Sequence, residues 1–554
     1  LIDTLQLGEI QGLHHGTYKE GMWWWNSRGY TPAGVEAWNG IRAIDYLVTR
    51  PEVDRDRIGI TGRSGGGSYS WTVGALDARI KAAAPVAGIT DLQNHVVDGA
   101  VEGHCDCMFV VNTARWDYPQ LAALMAPRPL LLANSDSDSI FPLDGVMRLH
   151  DKVKKIYQLY QAKDKLGLLI TSGPHKDSQD LQLPVFRWFN RHLKGEDPVI
   201  EIAATKFFEP EQLRVMTNYP ADQKNTSIHQ TFVPPAKPSE VPESPQSWNA
   251  QRDGWLAAFK EKTFAGWPED GGPLSMQKVL SAEKDGFLFQ AYDFDSQPAI
   301  RLRLYLLRNA KLEQHERIVL TVLGTADSRP TNAGTGAESA SRPEAAILDW
   351  ESWLAAAQVD FGWELREELG ITALTATLER TGARRIAGLQ ALLRTNKTVL
   401  AYLAPRGLGL TAWGASDQKK AHLRRRFMLL GQTLDGMRVW DVRRAVQALS
   451  SIQQPGETPI TLQARGDMAG VALYASLFED GVKQLDLFQL PKSHAEGPEL
   501  LNVMRILDLP QTVAMAAERT HITLFQSETN GWDFPAAVAT RLGWTKTGFQ
   551  IKPL

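Results

Sequence analysis

Gly62-Arg63-Ser64-Gly65-Gly66-Gly67 is the stretch on which the reading of this chain turns. It follows a short apolar run, Arg57-Ile58-Gly59-Ile60-Thr61, and precedes residues 69–76, which can continue as a helix. Strand, sharp turn and helix form the context in which a G-x-S-x-G sequence presents a serine nucleophile. Glycines flank the serine because its backbone is strained and the strand and helix approach too closely there for side chains. Downstream, the apolar run Pro129-Leu130-Leu131-Leu132-Ala133 ends in Asn134-Ser135-Asp136-Ser137-Asp138-Ser139-Ile140-Phe141-Pro142, which places acids at the end of a buried strand. Asp138 stands where an orienting carboxylate is expected, with Asp136 the alternative. A further run, residues 166–171, ends in Ser172-Gly173-Pro174-His175, and an amphipathic segment, 183–194, follows.

Serine, aspartate and histidine in that chain order, at three strand ends, match one of the known arrangements of a catalytic triad. The chemistry needs these residue types. A serine hydroxyl attacks only when an imidazole takes its proton, and a buried carboxylate fixes the imidazole tautomer. The N–H of Gly65, next after the nucleophile, is placed to face a developing oxyanion. The expected catalytic set is Ser64, Asp138 and His175, and acyl transfer to water requires no cofactor.

On these residues, and on the closing Phe186-Arg187-Trp188-Phe189-Asn190-Arg191-His192-Leu193-Lys194-Gly195, the first ~200 residues resemble the carbohydrate-esterase branch of the α/β-hydrolases, bacterial acetyl xylan esterase-like proteins above all. The resemblance implies hydrolysis of small acyl esters on plant polysaccharide. The elbow is also compatible with prolyl-oligopeptidase-like peptidases and dienelactone hydrolases. No repeated blade pattern of the kind that precedes the hydrolase domain in the former is present.

A length of 554 residues predicts two or three domains. A net charge of −3 with 22% charged residues argues against nucleic acid or an anionic membrane as partner. No apolar run approaches the ~20 residues needed to span a bilayer. Two cysteines, Cys105 and Cys107, exclude a disulfide framework and leave the compartment open, a secreted or periplasmic location being compatible. The chain opens Leu1-Ile2-Asp3-Thr4-Leu5 without Met. Residues 1–7 read as a strand and 35–48 as an amphipathic helix, so only one strand precedes the elbow strand. The resemblance implies several. The expectation is therefore a first domain lacking its N-terminal strands and the loop carrying a second oxyanion donor. Its edge strand, 1–7, would then pair with a missing N-terminal piece or a second copy of the chain.

Residues 1–200 form the expected catalytic domain, 201–285 a Pro- and Trp-rich linker, and 286–554 a second domain. Strands are predicted at 287–292, 300–306 and 317–323, followed by alternating helical and apolar segments, an α/β layout. An offset of 402 residues places Trp38 on Trp440, Arg42 on Arg444, Ala43 on Ala445, Leu47 on Leu449, Ile58 on Ile460 and Arg63 on Arg465. Self-similarity at one offset points to a duplicated domain. In that register Ser64 meets Gly466, and Gly65, Gly66 and Gly67 meet Asp467, Met468 and Ala469, so the second elbow lacks a nucleophile. After the run 521–525 no histidine remains. The expected fold is thus a tandem of α/β-hydrolase domains, the second catalytically degenerate; with the absent N-terminal strands, this leaves a noncatalytic binding or scaffold protein derived from an esterase as the alternative to an enzyme.

Four other clusters carry residues capable of chemistry or binding. Trp23-Trp24-Trp25, with His14, His15 and Tyr18 before it, could stack sugar rings at the mouth of the fold, although three consecutive tryptophans cannot all face one way. His95, past the next strand end, is a further candidate for substrate contact. His104-Cys105-Asp106-Cys107 lacks the spacing and second ligand pair of a zinc site and reads as a loop with two reduced thiols, so no metal is expected. The basic run Lys419-Lys420, His422 and Arg424-Arg425-Arg426 reads as a solvated helix face above an apolar underside.

Overall fold

Alternate residues of the run at 130–133 pack on opposite sides of one strand, and this sorts the first half of the chain into layers. Leu130 and Leu132 join a core with Ile44, Trp71, Val73, Leu149, Val153 and Tyr157, whereas Leu131 and Ala133 join one with Leu181, Val185 and Trp188. The structure is a computed structural model that describes residues 2–5, 9–200, 208–312, 314–325, 347–369, 376–452, 458–544 and 548–554. It divides into two compact units, Leu1–Pro234 with Asp417–Gly431, and Pro235–Ser416 with Gln432–Leu554.

The first unit has a four-stranded sheet of β1 (Gly59–Arg63), β2 (Ala82–Val86), β3 (Leu130–Ser135) and β4 (Leu166–Thr171), in that spatial order and all parallel. Helices α1 (Pro32–Leu47), α2 (Gly65–Leu76) and α3 (Leu143–Leu159) cover one face, and α4 (Gln179–Phe189) the other. Both faces are buried, which is why β2 and β3 are continuously apolar or small rather than alternating. Pro32 at the first position of α1 presets its backbone for a helix. In α3 the buried residues Val146, Leu149, Val153 and Tyr157 recur at helical spacing. Helix α5 (Asp417–Leu429), from far along the chain, also belongs to this unit.

Residues 2–5 form no strand, so the edge expected at 1–7 is not built there; 1, 6 and 7 lie outside the described residues. Leu5 is instead buried with Trp25, Tyr30 and Val35, a better place for an apolar side chain than a sheet edge in water. The basic run is not a solvated face either. Arg425 is only 2% exposed and His422, Met428 and Leu429 are buried.

In the second unit nine strands form one sheet. β5 (Gln277–Lys284), β6 (Phe287–Gln297) and β7 (Ile300–Asn309) are antiparallel neighbours; β8 (Arg317–Val322), β9 (Thr398–Leu403), β10 (Ile460–Arg465), β11 (Val482–Phe488), β12 (His521–Gln526) and β13 (Phe549–Pro553) are mutually parallel. Their spatial order is β13-β12-β11-β10-β8-β9-β7-β6-β5. The three predicted strands are present as β6, β7 and β8. The stretch 201–285 is no simple linker. It contains a helix, Pro245–Ala258, and β5, and Trp248, Phe259 and Phe264 are buried in the core of this unit.

The 402-residue offset extends well beyond side-chain identity. α1 begins at Pro32 and α6 (Leu434–Ile452) at Leu434; α2 begins at Gly65 and α7 (Asp467–Ser476) at Asp467. Ser64 has φ 58° and ψ −119°, and Gly466 φ 59° and ψ −131°. Ser64 N donates to Val86 O and Gly466 N to Phe488 O, both at 2.9 Å. Ala87 and Gln489, next in line, share positive φ values of 44° and 50°. No helix among the described residues is long and apolar enough to cross a membrane.

Candidate active site

Ser64 caps the junction of β1 and α2 in a conformation that ordinary residues avoid, a strain that persists only where the surroundings enforce it. The surroundings here are two close approaches. A Cβ on Gly67 would lie 2.5 Å from Val86 O and 2.9 Å from Gly88 Cα, and one on Gly62 would lie 2.7 Å from the Gly66 backbone. Glycine at both positions is a packing requirement. Gly65 opens α2, so its N–H belongs to the first turn, whose amides have no carbonyl partner within the helix.

The acid and the histidine come from the ends of neighbouring strands. His175 Nδ1 donates to Asp138 Oδ2 at 2.7 Å, and the Asp138 side chain is fully buried. Its other oxygen, Oδ1, accepts from Ile140 N and Phe141 N, both at 2.9 Å. Burial alone pushes the Asp138 carboxyl up, but the His175 bond and the Phe141 and Ile140 amides outweigh it and hold it below its usual range. The carboxylate is therefore ionised and can only accept, so the His175 nitrogen that faces it, Nδ1, carries a proton and Nε2 is the ring nitrogen turned away from it.

Asp136, the alternative acid, is exposed and points elsewhere. Its Oδ1 accepts from Gly173 N at 2.9 Å. Ser135 Oγ donates to Pro174 O at 3.0 Å, and Ser137 N to Gly173 O at 3.1 Å. These bonds tie the histidine loop to the acid loop, which explains why Ser-Asp-Ser precedes Asp138. Arg63, beside Ser64, lies 3.7 Å from Asp177, beyond His175. The three expected residues thus sit at the C-terminal ends of β1, β3 and β4, the edge of a parallel sheet where ligands bind.

The four candidate substrate contacts are placed differently. His95 is 2% exposed, hydrogen bonds through Nδ1 to Asp91 O at 2.8 Å and stacks on Tyr118, so it is a core residue without access to substrate. Trp25 is fully buried, packed edge-on against Tyr30 at 4.8 Å. Trp24 lies beside His229 with Arg28 over its ring, and Trp23 carries the Arg424 guanidinium at 4.2 Å, so the three rings form no shared platform. Cys105 and Cys107 are joined in a disulfide rather than held as free thiols; the loop brings their Cα atoms to 5.4 Å. Among the described residues no three His, Cys, Asp or Glu side chains are grouped to hold a metal.

Burial pushes His95 down to about 4 from its ordinary 6.5, with Asp91 opposing weakly. Between these values the unfolded chain takes up a proton that the folded one refuses. Stability is therefore fully present above pH 6.5 and falls as the pH drops towards 4, by ~3 kcal/mol from this residue. Urea unfolding of His95→Gln at pH 7 and pH 4.5 should show a smaller acid loss than wild type; equal losses would contradict the assignment.

With this geometry in place, the comparison with known families is direct. Residues 15–196 match the prolyl oligopeptidase family of α/β-hydrolases. The match contains β1 to β4, Ser64, Asp138 and His175. Bacillus subtilis YtaP, a protein given a provisional hydrolase name, is 26% identical to this chain over 161 residues, 29% of this chain and 54% of that one. The chain thus spans about half the length of this curated relative. Among solved structures, a Bacteroides fragilis candidate acetyl xylan esterase superposes with a TM-score of 0.39 at 10% identity, over 57% of this chain and 76% of that chain. A glucuronoyl esterase from Solibacter usitatus gives 0.37 at 11% identity, over 57% and 90%.

Proposed function

We propose that the first unit is a serine hydrolase that cleaves carboxylic esters, small acyl esters on carbohydrate in particular. The observation that carries this reading is the buried Asp138 carboxylate holding His175 in the tautomer a general base requires, at the same sheet edge as the strained Ser64 turn. Ser64 Oγ attacks the ester carbonyl as its proton passes to His175 Nε2, and the Gly65 N–H stabilises the oxyanion. Collapse expels the alcohol, which takes the proton from His175, and leaves an acyl-Ser64 ester. Water, deprotonated by His175, then releases the acid and restores the serine. Asp138 stays ionised throughout and stabilises the imidazolium that forms twice per cycle.

The choice of ester over peptide rests on the sequence resemblance to acetyl xylan esterase-like proteins. The family match favours a second reading, a peptidase of prolyl-oligopeptidase type. Turnover of 4-nitrophenyl acetate compared with that of peptide anilides separates them. Faster ester cleavage is expected, and faster anilide cleavage would reverse the order.

In the same proposal the second unit is a hydrolase-like domain that has lost its chemistry. Its support is the matched turn, with Gly466 in the place of Ser64 at nearly the same backbone angles. Asp467, the only nearby carboxylate of that turn, is packed against Gly497, where a Cβ would come within 2.0 Å of it.

A further inference from the structure

Among the described residues of the first unit Arg425 is the most deeply buried Arg or Lys, 2% exposed, on a helix some 250 residues beyond β4 in the chain. Its guanidinium spans three acceptors of the segment 101–106. Nη1 donates to Val101 O at 3.0 Å, Nη2 to His104 O at 2.8 Å, and Nη2 lies 3.1 Å from Asp106 Oδ1. Tyr18 and Phe109 lie against its faces, with Arg425 Cζ 4.2 and 5.1 Å from their ring centres. Asp106 is held in turn by Thr17, through N at 2.9 Å and Oγ1 at 2.7 Å. Two more cations of the same helix, Lys419 and Arg426, pair with Glu102. A buried cation with this many backbone acceptors costs desolvation that only a well-made site offsets.

The clamped segment leans on the triad. The His104 ring packs on Phe141 with centroids 4.6 Å apart, and Phe141 stacks on His175 at 5.9 Å. Phe141 also donates its N–H to Asp138 Oδ1. One ring thus touches the catalytic imidazole and, through its backbone, the carboxylate that orients it. Burial keeps His104 neutral well below its ordinary range, so it acts by packing rather than by charge.

We propose that Arg425 is a positioning residue for the triad, fixing the segment 101–106 so that His104 and Phe141 hold His175 and Asp138 in register. The inference rests on the reading of Ser64, Asp138 and His175 as the catalytic set. It makes helix α5, encoded within the second half of the chain, a working part of the first-half site. Guanidinium geometry is needed because one group must reach three acceptors, which a lysine ammonium on a single stem cannot do in the same orientation.

The test uses the full chain with Arg425→Lys and, as a second variant that leaves the guanidinium site intact, His104→Ala. Near-UV circular dichroism establishes that each is folded. Both should lower kcat for 4-nitrophenyl acetate about 10- to 100-fold, with KM changed less than about twofold, because misplacement of the base affects the chemical step and not the encounter. Both should also shift or broaden the downfield proton resonance of the His175 Nδ1–H to Asp138 hydrogen bond, identified by its loss in His175→Ala. Folded variants with wild-type kcat and an unmoved resonance would overturn the proposal. A wild-type protein that gives the resonance without turnover would fail the triad reading alone, and the shift in the two variants would still decide the positioning role.

Discussion

Ser64→Ala is expected to lower kcat for a 4-nitrophenyl acyl ester by roughly 10⁴- to 10⁶-fold, because no other group in the elbow can form the acyl intermediate. The substitution should leave the fold untouched. Ser64→Gly should be equally inactive and more stable, by about 1 kcal/mol, since glycine adopts φ 58° without the steric cost that serine carries there. In the second unit a turn of nearly the same angle, φ 59°, carries a glycine, Gly466. Steady-state rates and urea unfolding midpoints of the two variants check both halves. A stabilised, inactive Ser64→Gly is the signature of a position where strain is retained for chemistry. Activity within about tenfold of wild type in either variant would remove Ser64 from the mechanism.

Asp138→Asn should cost about 10⁴-fold in kcat while preserving the fold, and the reason lies in the hydrogen bonds of the carboxylate. Ile140 N and Phe141 N both donate to Oδ1, so the amide oxygen of an asparagine must occupy that position. Its NH₂ group then faces His175. The imidazole can meet a donor only by presenting an unprotonated Nδ1, which moves the proton to Nε2 and removes the base that Ser64 needs. Asp136→Asn, by contrast, should lower kcat only about two- to fivefold, because Asp136 braces Gly173 from an exposed position and touches no triad member. Rates of the two variants measured side by side test the assignment. Equal losses would mean that the histidine loop, rather than the tautomer of His175, limits the reaction.

The Ser64 turn and the Asp138–His175 pair of the candidate site were legible in the sequence because their parts are local. A glycine-flanked serine after an apolar run, an aspartate four residues before a proline and a histidine before an amphipathic segment each announce themselves within ten residues. The same holds for β6, β7 and β8, where apolar and β-branched residues run at strand length. What escaped depends on distant partners. Arg425 belongs to an ordinary basic run until Asp106 and the carbonyls of Val101 and His104 are placed around it, and nothing near either segment signals the pairing. His95 looked available because its strand-end position is local, whereas its burial under Tyr118 is not. Leu5 lies in an apolar stretch that satisfies strand patterning, yet its burial is satisfied by Trp25 and Tyr30 instead of by a sheet.

One omission did carry a local signal. Asp285-Gly286 joins β5 to β6 with φ values of 51° and 80°, the two positive angles of a tight hairpin, and Asp-Gly between strand-length runs is the sequence mark of that turn. Reading it places β5 in the sheet and moves the start of the second unit back into the stretch taken for a linker. The 402-residue offset shows the opposite balance. Six side-chain identities mark it, and the backbone follows it further, down to paired hydrogen bonds and paired positive φ values at the two turns. Backbone geometry at a strand–turn–helix junction is constrained by packing, whereas the apex residue differs between the two turns, Ser64 in one and Gly466 in the other.

The most direct test of the account is to label the folded, full-length chain with a fluorophosphonate and to map the adduct by peptide mass spectrometry. The account predicts a single adduct on Ser64, none on residues 466–476, and none at all in Ser64→Ala. A folded wild-type protein that takes no label, or one labelled at another residue, would contradict it.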